Sequence, residues 1–116
     1  MIREGIYRCT RYQIEFKDGS VREISLSGTL YFDSATVSVH LIYEDGKFLI
    51  YSGRPTVEII ASSLIIDVIF SSKKEFLRTS EKRRIVHFTQ NSLILEKDHS
   101  DSIHRVTWVF FYGGLE

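Results

Sequence analysis

The chain has 116 residues, 43% hydrophobic and 26% charged with a single proline, which calls for one folded domain (residues 1–116) and excludes disorder and low complexity. Its 15 basic and 15 acidic residues cancel, which removes the positive footprint that a general nucleic-acid or anionic-membrane binder carries. No stretch approaches the ~20 apolar residues of a membrane span, and Arg3 and Glu4 interrupt any leader-like start, so a cytoplasmic protein with no membrane span is expected.

From Gly5 to Lys17 the chain is rich in Tyr, Ile and Phe, and Asp18-Gly19 is a hairpin turn into a strand from Val21 to Ser25. Gly28 to Phe32 and Thr36 to Tyr43 form the next pair around Asp33-Ser34, and Glu44-Asp45-Gly46 precedes a strand from Lys47 to Ser52. Pro55 cannot donate to a ladder, so Gly53-Arg54-Pro55 marks a bend, bulge or edge before Thr56 to Ala61. Leu64 to Phe70 is another strand, and the polar run from Ser71 to Lys82 around Phe76 and Leu77 suits a loop or one helical turn closing over a barrel end. Strands at Arg84 to Thr89, Ser92 to Lys97 and His104 to Tyr112 complete the set, joined by Gln90-Asn91 and by a polar turn over Asp98 to Asp101. This meander of short strands predicts an all-β, antiparallel up-and-down barrel of about eight to ten strands.

The stretch from Ile59 to Phe70 is apolar on both strand faces, whereas a barrel facing water alternates. A homodimer covering that outer face is the economical explanation. Cys9, the one cysteine, excludes an internal disulfide and a CxxC metal site and reads as a packed thiol.

Several segments resemble the bacterial lipocalin-like domain family, a calycin-type group of small ligand-binding barrels. Gly5-Ile-Tyr7 is similar to the family's opening Gly-x-Trp, and Gly28-Thr-Leu-Tyr-Phe32 with Ser38-Val39 to its glycine, aromatic, turn and Ser-Val segment. Tyr51-Ser-Gly53 with Val57 resembles its Tyr-x-Gly strand. Arg84 with Phe88, Asn91, Leu93 and Leu95 resembles its Arg-to-Leu-x-Leu hairpin, and Trp108 its terminal tryptophan. The resemblance implies a barrel that holds a hydrophobic ligand.

Alternation then assigns candidate ligand-contacting residues: Tyr7, His40, Tyr51, Asp67, Arg84, Phe88 and Trp108, with Val37, Val39 and Val86 completing the wall. Arg84 shares a face with Val86 and Phe88. Turned inward it needs a carboxylate, a carbonyl or an anionic ligand, or else packs over Tyr7 or Trp108 as a structural arginine. Asp67, on the preceding strand among isoleucines, reads as its internal partner, as a general base or as an outward-facing residue. Glu58 invites the same choice. His40 reads as a cavity histidine or a packed strand residue. His87, His99 and His104 lack the spacing of a metal cluster, so neither metal nor cofactor is expected. Three functions stay open: binding of a small hydrophobic or amphipathic molecule anchored through an anionic group, a cofactor-free isomerase or cyclase in which Asp67, His40 or a tyrosine moves a proton, and a protein-interaction module. No catalytic residue is assigned. Tyr7 and Trp108 are expected to pack together where the first and last strands close the barrel.

Overall fold

The computed structural model describes residues 2–98 and 103–113. Eight strands follow one another around a closed barrel: β1 (Gly5–Phe16), β2 (Val21–Phe32), β3 (Val37–Tyr43), β4 (Phe48–Glu58), β5 (Ser63–Ser71), β6 (Ser80–Phe88), β7 (Ser92–Asp98) and β8 (Ile103–Tyr112). Each pairs antiparallel with its sequence neighbour, and β8 returns to β1 through pairs such as Tyr7 with Tyr112 and Tyr12 with Trp108. Closure leaves no free sheet edge.

The count of eight arises because two expected breaks are absent. β2 runs unbroken through Leu26 and Ser27, and β4 continues past Pro55, whose neighbour Gly53 takes up the irregularity as a bulge opposite β5. A Cβ at Gly53 would collide with the Asp67 carbonyl oxygen, so a glycine is required where the two strands pinch together. The polar run after β5 does contain one helical turn, a 3-10 turn over Lys74–Phe76. β6 begins at Ser80, four residues before the expected start, and so takes in Glu81 and Arg83. His99 and most of the turn expected over 98–101 lie outside the described residues.

Alternation places Leu30, Val39, Leu41, Leu64, Ile66, Val68, Leu93, Leu95 and Phe110 inside, where they form the core. A bulge between Cys9 and Arg11 resets the alternation of β1, so that Tyr7 and Cys9 before it and Tyr12 and Ile14 after it all turn toward the core. Cys9 is fully buried, and burial pushes its thiol pKa up, which keeps it unreactive.

The two barrel ends differ. At one, Ile2 and Tyr7 are buried, Tyr7 meets Tyr112 edge-on at 5.1 Å, and the Arg3 guanidinium lies 3.7 Å above the Tyr112 ring. The Tyr7 hydroxyl donates to the Arg3 carbonyl and the Tyr112 hydroxyl to the Glu4 carbonyl, which ties the N-terminal segment across this end. Gly5, at φ 138°, leaves the room under the Tyr112 ring that a Cβ would occupy. At the other end gather the turns after β1 and β3 and the 3-10 segment. Among the described residues no helix is long and apolar enough to cross a membrane.

Candidate functional site

The open half of the lumen is lined by aromatic and charged side chains rather than by aliphatic ones alone. Tyr12 stacks near-parallel to Trp108 at 6.4 Å and meets Tyr43 edge-on at 5.9 Å. Phe76, the inward residue of the 3-10 turn, caps Tyr51 at 6.2 Å. Tyr51 is almost fully buried, and burial pushes its hydroxyl pKa up, so it stays a neutral hydrogen-bonding group.

Into this aromatic ring β6 and β7 send three charges. Glu81, Arg83 and Lys97 share one face because Arg84 pairs with Glu96 across the two strands, which sets Arg83 opposite Lys97. Arg83 is 8% exposed and Glu81 9%. The Arg83 Nη2 donates to Glu81 Oε1 at 3.3 Å, Lys97 Nζ donates to the same oxygen at 3.2 Å, and the Arg83 guanidinium sits 5.1 Å over the Trp108 ring. Burial pushes the Glu81 carboxyl up, but the two cations outweigh it and hold the group below its ordinary value. Under Arg83 lies a cavity of about 50 Å³, walled by Leu30, Val39, Leu41, Leu49, Tyr51, Ile66 and Trp108 among others.

Of the residues singled out from sequence, Tyr51 and Trp108 line this cavity and Tyr7 is buried at the opposite, closed end. Tyr7 and Trp108 therefore do not pack together. β8 does return beside β1, but the partner of Tyr7 is Tyr112 and that of Trp108 is Tyr12. Of the other four, His40, Asp67 and Arg84 lie on the outer surface, and Phe88 stands at the rim of the closed end. His40 is exposed on the outer face of β3, 3.3 Å from the Ser38 hydroxyl. Asp67 is exposed on β5 and accepts a hydrogen bond from Ser80 Oγ at 2.6 Å. Arg84 faces outward, where its Nη2 and Nε donate to Glu96 Oε1 at 2.6 and 3.2 Å. Phe88 and Val86 are exposed too, and with Ile2 and Ile59 they border a groove of about 350 Å³ outside the closed end. The polar residues of that groove, Glu58, Ser62 and His87, are all exposed, so no buried polar group converges on it.

The correction to Arg84 has a simple cause. Unbroken alternation with Val86 and Phe88 taken as core puts the arginine inside, whereas a bulge between Ile85 and His87 resets it: Phe88 shares the inward face of its pair Leu93, and Arg84 pairs with Glu96 on the outer face. The inward series is Glu81, Arg83 and Ile85. Arg84 and Asp67 also fail to pair, because Arg84 stands opposite Ser63 and Asp67 opposite Ser80, about 13 Å apart along the ladder. Glu81, Arg83 and Lys97 are not among the residues singled out from the sequence, although period-two spacing of Glu81 and Arg83 through a strand was the available signal.

A closed, eight-stranded up-and-down barrel, sealed by its N-terminal segment and carrying polar groups inside its open half, defines the lipocalin-like class of folds. The comparisons agree. The chain superposes on a lipocalin-like protein from Bacteroides uniformis with a TM-score of 0.59 at 13% identity, over 93% of this chain and 96% of that one. It superposes on an uncharacterized protein from Bacteroides eggerthii with a TM-score of 0.58 at 14% identity, over 93% and 97% of the two chains. At such identities the likeness is one of fold. No family model matches the sequence, and no curated protein is significantly similar to it.

Proposed function

We propose that the protein binds a small amphipathic molecule at the open end of its barrel, the polar part against Arg83 and Lys97 and the apolar part among Tyr12, Tyr43 and Trp108. The observation that carries this reading is the Glu81–Arg83–Lys97 cluster in an otherwise apolar lumen. Buried charges cost stability against a hydrophobic replacement. A few convergent polar groups on an apolar wall are what orient a small ligand. The enzyme reading loses Asp67 and His40, which stand on the outer surface, and keeps a tyrosine, Tyr51, as a proton carrier in the cavity wall.

Trp108 is the one tryptophan of the chain and lies against Arg83, so its emission reports on the site. Native mass spectrometry of gently purified protein is expected to reveal a retained small molecule, and titration with decanol or anilinonaphthalene sulfonate to change Trp108 emission saturably. An empty protein whose tryptophan responds to neither would overturn the reading.

A second proposal concerns partners. β5 presents Ile69 and Phe70 outward at 63% and 56% exposure, and the turn before it presents Ile59 and Ile60. Such a surface supports self-association into a homodimer. Sedimentation at micromolar concentration tests it.

A further inference from the structure

We propose that the ligand of this site is a short-chain monocarboxylate, its carboxylate shared by Arg83 and Lys97 and its tail in the cavity beneath, whose size sets the length limit. The inference rests on the binding reading above and names the ligand class. Three observations carry it.

The first is charge balance. Among the described residues, the charged side chains buried or half-buried in the open half of the lumen are Glu81, Arg83 and Lys97, two cations against one carboxylate. The surplus is one positive charge, which a monoanion neutralises and a dianion overshoots. Arg22, Lys47 and Lys73 with Glu44 and Asp45 stand farther out on the exposed rim, where solvent screens them.

The second is geometry. Glu81 Oε1 serves both cations, at 3.3 and 3.2 Å, and among the described residues its Oε2 is met only by Thr79 Oγ1 at 3.5 Å. Charge-assisted hydrogen bonds ordinarily close to about 2.7–2.9 Å. The internal carboxylate therefore holds both cations loosely; Arg83 Nη1 also donates to the Lys82 carbonyl at 3.1 Å, so an incoming carboxylate would meet Arg83 Nη2 and Lys97 Nζ, the two donors that Glu81 Oε1 now shares.

The third is volume. The cavity of about 50 Å³ is walled mainly by Leu30, Val39, Leu41, Leu49 and Ile66. One water's share of liquid volume is about 30 Å³, so the cavity has room for about two such volumes and a tail of only about two or three carbon atoms fits.

Titration of the full chain with butyrate, octanoate and butyramide, followed by Trp108 emission, tests this. Butyrate is expected to bind at millimolar concentration or tighter, at least tenfold better than butyramide and better than octanoate. Leu49→Ala, in the wall of the cavity, should narrow the gap between the two acids. Arg83→Met should erase the preference for butyrate over butyramide, and Lys97→Met, at the half-exposed rim, should weaken butyrate even if Arg83→Met does not fold. Equal binding of butyrate and butyramide, or octanoate ahead of butyrate in the unaltered protein, would overturn the assignment. If butyrate is ignored while decanol or anilinonaphthalene sulfonate shifts Trp108, the short-acid assignment falls and the binding reading stands. If none of these binds, both fall.

Discussion

Two neighbouring arginines on β6 occupy opposite worlds. Arg84, on the outside, covers Glu96, which also lies 3.6 Å from Arg105; the Arg105 side chain in turn reaches Glu15 at 3.3 Å. Glu96 itself is buried, so Arg84→Met leaves that carboxylate to Arg105 and Thr107 and should lower stability by about 1–3 kcal/mol in urea unfolding, while ligand-induced changes at Trp108 stay untouched. Arg83 and Glu81 are buried, and Glu81→Gln leaves two cations sharing a neutral acceptor, which should cost about 3 kcal/mol. The pH dependence has a definite sign. Because Glu81 has a folded-state pKa below its unfolded value, its contribution is complete above the unfolded carboxylate range and drains away as pH falls through the folded pKa. Urea midpoints measured from pH 7 downward should therefore fall less steeply in Glu81→Gln than in the parent. Parallel curves for the two proteins would show that Glu81 carries none of the acid sensitivity.

At the scale of strands, the chain's alternation was legible wherever one face meets water and the other the core. β3 is the clearest case, with Val37, Val39 and Leu41 buried and His40 and Ile42 exposed. Alternation alone fixes which residues share a face; which face is the inner one needs a contrast in polarity. β6 offers the wrong contrast, since its polar half, from Ser80 to Arg84, carries the buried charges and its apolar half, from Val86 to Phe88, is exposed. The candidate site fell on that strand, which is why Tyr51 and Trp108 were found and Glu81, Arg83 and Lys97 were not. Bulges are the other hidden element, because the extra residue that resets β1 between Cys9 and Arg11 leaves no mark in composition. Where a bulge needs a glycine it can be tested: Gly53→Ala must push β4 away from the Asp67 carbonyl and should cost about 1–3 kcal/mol. A loss within error would mean that the two strands separate at that point without penalty.

For the molecule as a whole, the sealed end and the outer surface make separate demands. The sealed end depends on Tyr7, fully buried between Tyr112 and the strapped N-terminal segment. Tyr7→Ala should cost about 3 to 5 kcal/mol as a large aromatic truncation, measured by urea unfolding, whereas Tyr7→Phe should lose only the hydroxyl's bond to the Arg3 carbonyl. The outer surface makes its demand through association. Ile69 stands on the water-facing side of β5, two positions from Asp67, while Leu64, Ile66 and Val68 fill the core from the same strand. Nothing in the barrel's own packing uses Ile69, so a charge there leaves the fold alone and acts only on what the outer face meets. Ile69→Lys is accordingly expected to keep the parent's urea midpoint within about 0.5 kcal/mol of stability while sedimenting as a monomer at concentrations where the parent is a dimer. A parent protein that is already monomeric at micromolar concentration, or a variant that dimerises as well as the parent, would remove β5 as the self-association face.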